Sequence, residues 1–397
     1  MAKEKFFGKL ADPGELNFFI PASDRILDDA CTLLAALRSG VSIEYFNLLS
    51  IPANILNQLL KCAGMLDTQD KPNTEKTRLF LEAPRTQALT QLASVWMNSN
   101  QFNELALMPD LVCEGKWKND PLQSRQTLLD LIRKLPHGQW WHLQSFIQDM
   151  QSRMPDFLRP SGDYDSWFVR ERKSGDYLRG FNNWEKVEGK LVSFVITGPL
   201  HWLGITDLAS RNAEEPACAF RLSAWSEDML NRRIPKGLAE EKEKVTVQSN
   251  GKLSVPRLTS RAARYQISRF CDWQGVKDDF YRFRITARGL QRAKSQKLLV
   301  RQFITVLHKY GKPPIAPTLL QALNRWEKHH LEARMEKGIL LRVKDPAILD
   351  QLANSRAKRF ILDRPKPTLM VIKAGGEDVI QHALTELGYL SEISATL

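Results

Sequence analysis

The chain has 397 residues, a formal net charge of +12 and a pI near 9.4, with 43% hydrophobic and 26% charged residues. These proportions exclude a chain that is disordered throughout, and the length predicts about two to four domains. The surplus of positive charge favours a polyanionic partner, either nucleic acid or an acidic membrane surface. A basic protein without such a partner is the alternative.

The five cysteines are scattered and form no CxxC pair, which excludes a zinc ribbon and a dithiol redox motif. Unpaired thiols are typical of a reducing compartment. The N-terminal residues lack the apolar core of a signal peptide, and no uncharged stretch reaches the roughly 18 residues needed to span a bilayer. We therefore expect a cytoplasmic protein with no membrane partner.

The first elements along the chain predict a winged-helix-like unit with following helices over residues 1–120. Apolar residues at helical spacing predict a helix over 26–37, a short helix over 43–49 follows, and Pro52 opens a third helix. A polar tip then leads into Thr77–Leu81, which has the composition of a strand. Three helices, a polar tip and a strand follow the order of a winged helix-turn-helix.

A second unit of the same kind is predicted over residues 121–239. Its helices are expected over 128–134, 142–151 and 192–203, and its strand over 219–222. Residues 152–190 interrupt it as a long insertion that we expect to pack because it is rich in aromatic residues. Those aromatic residues are Tyr164, Trp167, Phe168, Tyr177, Phe181 and Trp184.

A charged linker over 240–244 precedes a third predicted domain, residues 245–397, in which strands and helices are interleaved. Its expected strands are 245–247, 281–285, 338–343 and 368–372, and its expected helices are 259–270, 287–295, 300–310, 318–328, 346–352 and 377–387. The predicted fold class is therefore α+β and mostly helical, with winged-helix-like units in the N-terminal half and a small mixed sheet with helices in the C-terminal domain.

The positive charge is concentrated in this third domain. Between Arg257 and Lys312 the chain has fourteen Lys or Arg and three Asp, a net charge of +11. Alternation in the strand 281–285 and helical spacing in 259–270 and 287–295 separate the cations from the apolar residues. We expect these cations to face outward and to bind phosphate groups. The predicted phosphate-binding residues are Arg261, Arg264, Arg282, Arg284, Arg288, Arg292, Lys294, Lys297 and Arg301.

Helix surfaces often carry amides, but four residues of the third helix in the first unit are candidates for reading base edges. They are Asn54, Asn57, Gln58 and Lys61. A charge run is also often only a solvated surface, and a winged helix often serves as a docking module for another protein. These alternatives stay open.

Catalytic and metal motifs are absent from the sequence. It has no GxxxxGK[ST], HExxH, GxSxG or EF-hand stretch. The aspartates at 163, 165, 278 and 279 would have to supply any Mg²⁺ site of a nuclease, and Asp278–Asp279 is more simply explained as a turn. We expect no enzyme activity, no cofactor and no bound metal.

The C-terminal half resembles the N-terminal, non-motor domain of XPB-type DNA helicases, which recurs in bacterial helicase-associated proteins. The stretches that carry the resemblance are 245–250, 281–290, 340–349, 367–371 and 383–389. It implies an association with DNA or with a DNA-processing partner and supplies no catalytic residues. We therefore expect a non-enzymatic DNA-binding or scaffolding protein in transcription, repair or genome maintenance that contacts duplex DNA. The alternative is an adaptor that docks a helicase or polymerase with little DNA contact of its own.

Overall fold

The computed structural model describes residues 6–41, 49–115, 117, 119–159, 162–330, 332–333 and 338–393. The chain forms two compact units, Met1–Lys328 and His329–Leu397. The α-helices are α1 (Ile26–Ser39), α2 (Ala53–Cys62), α3 (Thr74–Glu82), α4 (Arg85–Asn98), α5 (Glu104–Leu107), α6 (Pro121–Arg133), α7 (Leu143–Arg153), α8 (Lys190–Val195), α9 (Ser226–Leu230), α10 (Arg261–Phe270), α11 (Ala287–Ser295), α12 (Val300–Tyr310), α13 (Pro317–His329), α14 (Pro346–Ala353) and α15 (Glu377–Glu386).

The strands belong to four small sheets. They are β1 (Phe18–Ile20), β2 (Leu111–Glu114), β3 (Trp141–His142), β4 (Phe168–Glu171), β5 (Thr206–Ser210), β6 (Ala219–Leu222), β7 (Thr246–Val247), β8 (Lys252–Pro256), β9 (Cys271–Lys277), β10 (Phe280–Ile285), β11 (Gly338–Arg342), β12 (Ile361–Lys366) and β13 (Leu369–Lys373). The α+β fold class is confirmed, and the strands named here pair antiparallel in every sheet.

The first helices of the chain pack around a shared apolar core. In α1 the buried residues recur at helical spacing, and Gly40 ends the helix with a left-handed φ of 64°. This confirms the helix predicted over 26–37. In α2 the side chains of Ile55, Leu56, Leu59 and Leu60 are buried. The short helix predicted over 43–49 falls on residues 42–48, which lie outside the described residues.

The strand predicted at Thr77–Leu81 is wrong, because these residues lie inside α3. Asn73 caps this helix by accepting a 3.0 Å hydrogen bond from the Lys76 backbone N–H. The buried residues Thr77, Phe80 and Leu81 are spaced for one face of a helix. In the winged-helix-like unit predicted over residues 1–120, a tight turn over 65–73 is closed by the bridge between Leu66 and Pro72. No strand is described where the wing strand of this unit was expected.

Apart from β4, which lies in the insertion, the elements of residues 121–222 follow the order helix, strand, helix, helix, strand, strand. The third helical stretch runs from residue 184 to 202 and contains α8 between two π-helical turns, the second of which includes Pro199. Strands β3, β6 and β5 form a sheet in that order, and β1 joins at the edge of β5. Of the aromatic residues in the insertion, Tyr164, Trp167 and Trp184 are buried as expected. Phe168, Tyr177 and Phe181 stay exposed.

Residues 245–328 contain the sheet β7-β8-β10-β9, which covers α10 and α12. One face of this sheet is apolar and buried, with Leu253, Val255 and Phe283 among its side chains. The rings of Phe270 in α10 and Phe303 in α12 stack with centroids 4.8 Å apart. Because the apolar residues alternate along β8 and β10, the opposite face of the sheet carries the polar and charged side chains.

The second compact unit has the sheet β11-β13-β12 with α14 and α15. Its core contains Leu349 and Leu352 of α14, Met370 and Ile372 of β13, and Leu384 of α15. The Asp345 carboxylate caps α14 by accepting a hydrogen bond of 2.9 Å from the Ala347 backbone.

Candidate nucleic-acid interface

Strand β10 turns its arginines away from the core. Tyr281 and Phe283 are buried, whereas Arg282 and Arg284 are exposed, which confirms the alternation expected from the sequence. Across the sheet, Arg284 lies directly opposite the exposed Lys252 of β8. Like charges in this position repel each other. This face of the sheet therefore carries a local excess of positive charge.

Asp272 joins the strand cations to helix α11. It lies opposite Arg284 on the neighbouring strand β9. Its carboxylate accepts hydrogen bonds from the Thr286 hydroxyl at 2.8 Å and from Arg292 at 3.2 Å, and it forms an ion pair with Arg288 at 3.3 Å. Burial raises the pKa of the Asp272 carboxyl, but these donors outweigh it and hold the pKa below its usual value.

We call Lys252, Arg282, Arg284 and Arg288 the cationic row. The row crosses β8 and β10 and continues into α11, and all four side chains are exposed. Within the described residues, Lys252, Arg282 and Arg284 form no ion pair with a carboxylate. Asp272 is the acidic residue closest in the strand register, and it is already paired with the α11 arginines. The row therefore keeps most of its charge available to an outside anion.

The Thr286 side chain fixes the start of α11. Its hydroxyl oxygen accepts a 3.0 Å hydrogen bond from the Gly289 backbone N–H while the hydroxyl donates to Asp272. Gly289 is required here because a Cβ would lie 2.5 Å from the Phe270 carbonyl oxygen. The helix can therefore approach α10 closely, with Arg288 outside and Leu290 inside.

The remaining cations predicted in this region are on its periphery. Lys294, Lys297 and Arg301 are exposed at the end of α11 and the start of α12, and Lys297 has a left-handed φ of 61°. Arg292 is partly buried and donates to the Cys271 carbonyl at 2.6 Å. It is less available to an outside phosphate than Arg288, whose side chain is 80% exposed.

The expectation that Arg264 faces outward is wrong. Its side chain is 2% exposed, and it forms an ion pair of 3.2 Å with Asp28 of α1. It also donates to the Asp28 carbonyl at 2.9 Å, and its guanidinium lies over the Tyr281 ring. The physical reason is that α10 is covered on a second side, by α1, so its polar face meets a buried carboxylate.

Arg261 was also expected to face outward, and it too is fully buried. Its guanidinium donates to Glu241 at 2.7 Å and to the Ala83 carbonyl at 2.6 Å. In the same region Arg85 of α4 pairs with Asp24 at 2.6 Å. These contacts belong to a buried charge network that joins α1 and α4 to α10. Its members are Asp24, Asp28, Arg85, Glu241, Arg257, Arg261 and Arg264.

The network favours the ionised form of Asp24 and Asp28. Burial raises the pKa of the Asp28 carboxyl, but Arg264, Arg85 and Arg257 outweigh burial and hold the pKa below its usual value. Asp24 has the same balance of burial against Arg85 and Arg257, and its pKa is lowered as well. The role of these arginines in the fold is therefore to neutralise buried acids.

The four candidates for base reading in α2 have different surroundings. Lys61 forms an ion pair of 2.7 Å with Asp70, which also accepts a hydrogen bond from Asn57. Gln58 donates to the Gln101 carbonyl at 3.0 Å. Asn54 is exposed. Three of the four side chains are thus engaged within the protein, and all four lie outside the cationic row.

Lys252 is the residue of the interface that the sequence prediction missed. It begins β8, a strand that was not predicted, in which Leu253 and Val255 are buried. The alternation of Leu253 and Val255 with polar neighbours was the available signal. It was overlooked because the stretch is short and ends in Pro256.

One comparison with known proteins concerns this same part of the chain. Residues 245–364 match the helicase conserved C-terminal domain family. A curated protein similar to the chain is DNA 3'-5' helicase XPB of Kineococcus radiotolerans, 23% identical over 145 residues. The similarity covers 35% of this chain and about a quarter of the length of that helicase. Residues 245–364 are therefore similar to a helicase-related family, and the whole cationic row lies inside these residues.

No described helix is both long and apolar enough to cross a bilayer.

Proposed function

We propose that the chain is a non-enzymatic protein that binds duplex DNA through the cationic row, in transcription, repair or genome maintenance. The observation that carries the proposal is the exposure of four cations on one continuous surface with one neighbouring carboxylate, Asp272. Arginine side chains offer planar donor pairs that suit phosphate oxygens. Arg261 and Arg264 are not part of the proposed contact, because both are buried.

The repulsion between Arg284 and Lys252 supports the choice of a polyanion. The two side chains lie directly opposite each other on neighbouring strands, and like charges in this position destabilise a sheet. A phosphate backbone placed over them would remove this repulsion and release its own counterions. A solvated basic surface without a ligand would keep the repulsion uncompensated.

The helicase relationship supports a role beside DNA, and we propose the non-motor domain of XPB-type helicases as the specific relative. The similar protein from Kineococcus radiotolerans is by its name a DNA helicase, and the residues that match the helicase family include the cationic row. This chain has no GxxxxGK[ST] stretch. We accordingly propose no ATPase activity for it.

The N-terminal half supports a docking role better than base reading. With β4 of the insertion set aside, the elements of residues 121–222 follow the order of a winged helix, which supports that assignment. In the stretch 184–202, which would be the reading helix, every residue from 187 to 202 is buried or half-buried. A helix without an exposed face cannot place side chains in a major groove. This observation favours, as a second candidate, an adaptor for a helicase or polymerase.

A salt titration tests the proposal. Affinity for a labelled duplex and for the single strand would be measured at several salt concentrations, with and without Mg²⁺, and the products run on a gel. We expect the logarithm of the binding constant to fall linearly with the logarithm of the salt concentration, with a slope of about −0.9 per phosphate neutralised. Intact DNA in the presence of Mg²⁺ is expected, and cleavage would indicate a nuclease.

The variant that decides the proposal carries Arg282→Gln and Arg284→Gln together. Each lost phosphate contact should reduce the slope by about one and weaken binding to all sequences alike. Arg78→Gln is the matched control, because Arg78 is an exposed arginine of α3 whose ion pair is with Glu82 of the same helix. If the double variant binds DNA as the control does, the row is not the DNA contact, and partner capture by the N-terminal half becomes the better explanation.

A further inference from the structure

A cavity of about 330 Å³ lies where the C-terminal end of α1 meets β9 and α11. Its volume falls at the lower end of the range for small-molecule sites, which is about 300–1,000 Å³. The wall on the α1 side includes Ala35 and Ala36, and the opposite side includes Trp273 and Arg292. Pockets that bind small molecules are typically of this kind, mostly apolar with a few placed polar groups.

Three residues that line the cavity each have a buried polar atom without a hydrogen-bond partner in the described part of the chain. These atoms are the Trp273 indole nitrogen, the Arg292 Nε and the Ser39 hydroxyl oxygen. All three are closed to water, so they lie behind the surface that a ligand would touch. The charged groups that a ligand can reach are the side chains of Arg288 and Arg292, which are at least partly exposed.

The charge around the cavity selects the class of ligand. Arg288 lies at the rim and Arg292 lies deeper, and both also line the cavity. Asp272 is the acid beside them, and its two oxygens are already occupied by these arginines and by Thr286. Two guanidinium groups thus share one carboxylate. A second anion would complete the pairing.

We propose that this cavity binds a small organic anion. Its carboxylate or phosphate pairs with Arg288 and Arg292, and its apolar body lies against Ala35 and Ala36. Arg288 belongs both to this site and to the cationic row, whereas the rest of the cavity lies outside the row. An anion bound here joins α1 to β9 and α11 across the cavity.

Calorimetric titration of the full chain with three probes tests this site. The probes are 1-naphthoate, 1-naphthyl phosphate and the neutral 1-naphthalenemethanol, at one fixed ionic strength. We expect one-to-one binding of at least one anion, and the tighter of the two identifies the head group. The neutral alcohol should not bind measurably. The proposal is overturned if neither anion binds or if the alcohol binds as tightly as the anions.

Two variants locate the binding. Ala36→Phe fills the cavity without removing a polar group and should abolish binding of the anions. Arg288→Gln should weaken it about tenfold or more, the range of a lost charge-assisted hydrogen bond. Arg78→Gln also removes one exposed arginine from an ion pair, but Arg78 does not line the cavity. This variant should leave the affinity for the anions unchanged.

The Arg288 variant decides the question even if Ala36→Phe does not fold, because the Arg288 side chain is mostly exposed. Equal affinities in Arg288→Gln and Arg78→Gln would overturn the proposal. So would unchanged affinity in a folded Ala36→Phe protein. None of these measurements contains nucleic acid, so their failure would leave the proposed DNA contact standing.

Discussion

The arginines of α10 and those of β10 and α11 stand within about thirty positions of one another and have opposite surroundings. Arg264 is enclosed between the α1 carboxylate of Asp28 and the ring of Tyr281. Arg282 and Arg284 are exposed on the far side of the same sheet that supplies Tyr281. The comparison shows that positive charge in this chain serves two purposes. One group neutralises buried acids and joins parts of the fold, and the other remains available to a partner.

The largest expected effect is at the buried group. Arg264→Met should lower the free energy of unfolding by about 3–5 kcal/mol, because it leaves Asp28 with an incomplete set of partners in a dry environment. Urea unfolding of the variant and the wild type measures the difference. Arg282→Met makes the same chemical change on the exposed face and serves as the control. A loss at Arg264 no larger than at Arg282 would mean that the burial of Arg264 contributes nothing specific.

Acid should act on the same network. The pKa values of Asp24 and Asp28 are lowered in the folded protein, so the unfolded chain takes up protons first as the pH falls below about 4. The stability from these groups is therefore complete at neutral pH and is lost as the pH falls through the folded pKa values. Thermal unfolding between pH 7 and pH 3 measures this loss.

The Asp28→Asn variant separates the contribution of Asp28 from those of other acids. One of these is Asp29, whose pKa is raised by burial, so its protonation favours the folded state as the pH falls. The variant should be less stable than the wild type at neutral pH and should lose less on acidification. Parallel curves for the two proteins would show that Asp28 does not titrate with unfolding.

A smaller effect is expected where the exposed group is anchored. Thr286→Ala removes the cap of α11 and the hydrogen bond to Asp272, and should cost about 1 kcal/mol of stability. Thr286→Ser keeps the hydroxyl and is the control. Thermal unfolding of both variants measures the difference, and an alanine variant as stable as the serine variant would show that the cap is not needed to hold Arg288 and Arg292 in place.

The sequence predicts the exposed group well because its signals are local. Helices α11 and α12 have the bounds that apolar periodicity predicts, and the alternation in β10 correctly assigns Arg282 to the outer face. These signals need only neighbouring residues. Strand β9 was missed because Gly275 and a register shift opposite Arg282 interrupt its pattern.

The buried group could not be predicted in the same way. The periodicity of α10 gives one apolar face and one charged face, and it does not say what covers the charged face. Asp28 and Arg264 are 236 positions apart in the chain. The helix α4, which supplies Arg85, was expected only as one of the helices that follow the first winged-helix-like unit, and its bounds were not predicted. Its mixed composition without a capping side chain explains why. The proposed anion cavity depends on the same long-range packing, since α1 and α11 come together only in the folded chain.

The smallest expected effect on stability is the one that most sharply separates the two groups. Lys252→Glu places a carboxylate directly opposite Arg284, in place of a like charge, and should stabilise the sheet by about 0.2–1 kcal/mol. The same change puts a negative charge in the cationic row and should weaken duplex binding at low salt. Thermal unfolding and a DNA titration on the same preparation measure both effects, with Lys252→Gln as the intermediate control. If Lys252 stabilises the sheet less than glutamate does but binds DNA more tightly, the role of Lys252 is to bind DNA. If Lys252→Glu changes stability and affinity in the same direction, or leaves affinity unchanged, the exposed cations would have to be regarded as ordinary surface charge.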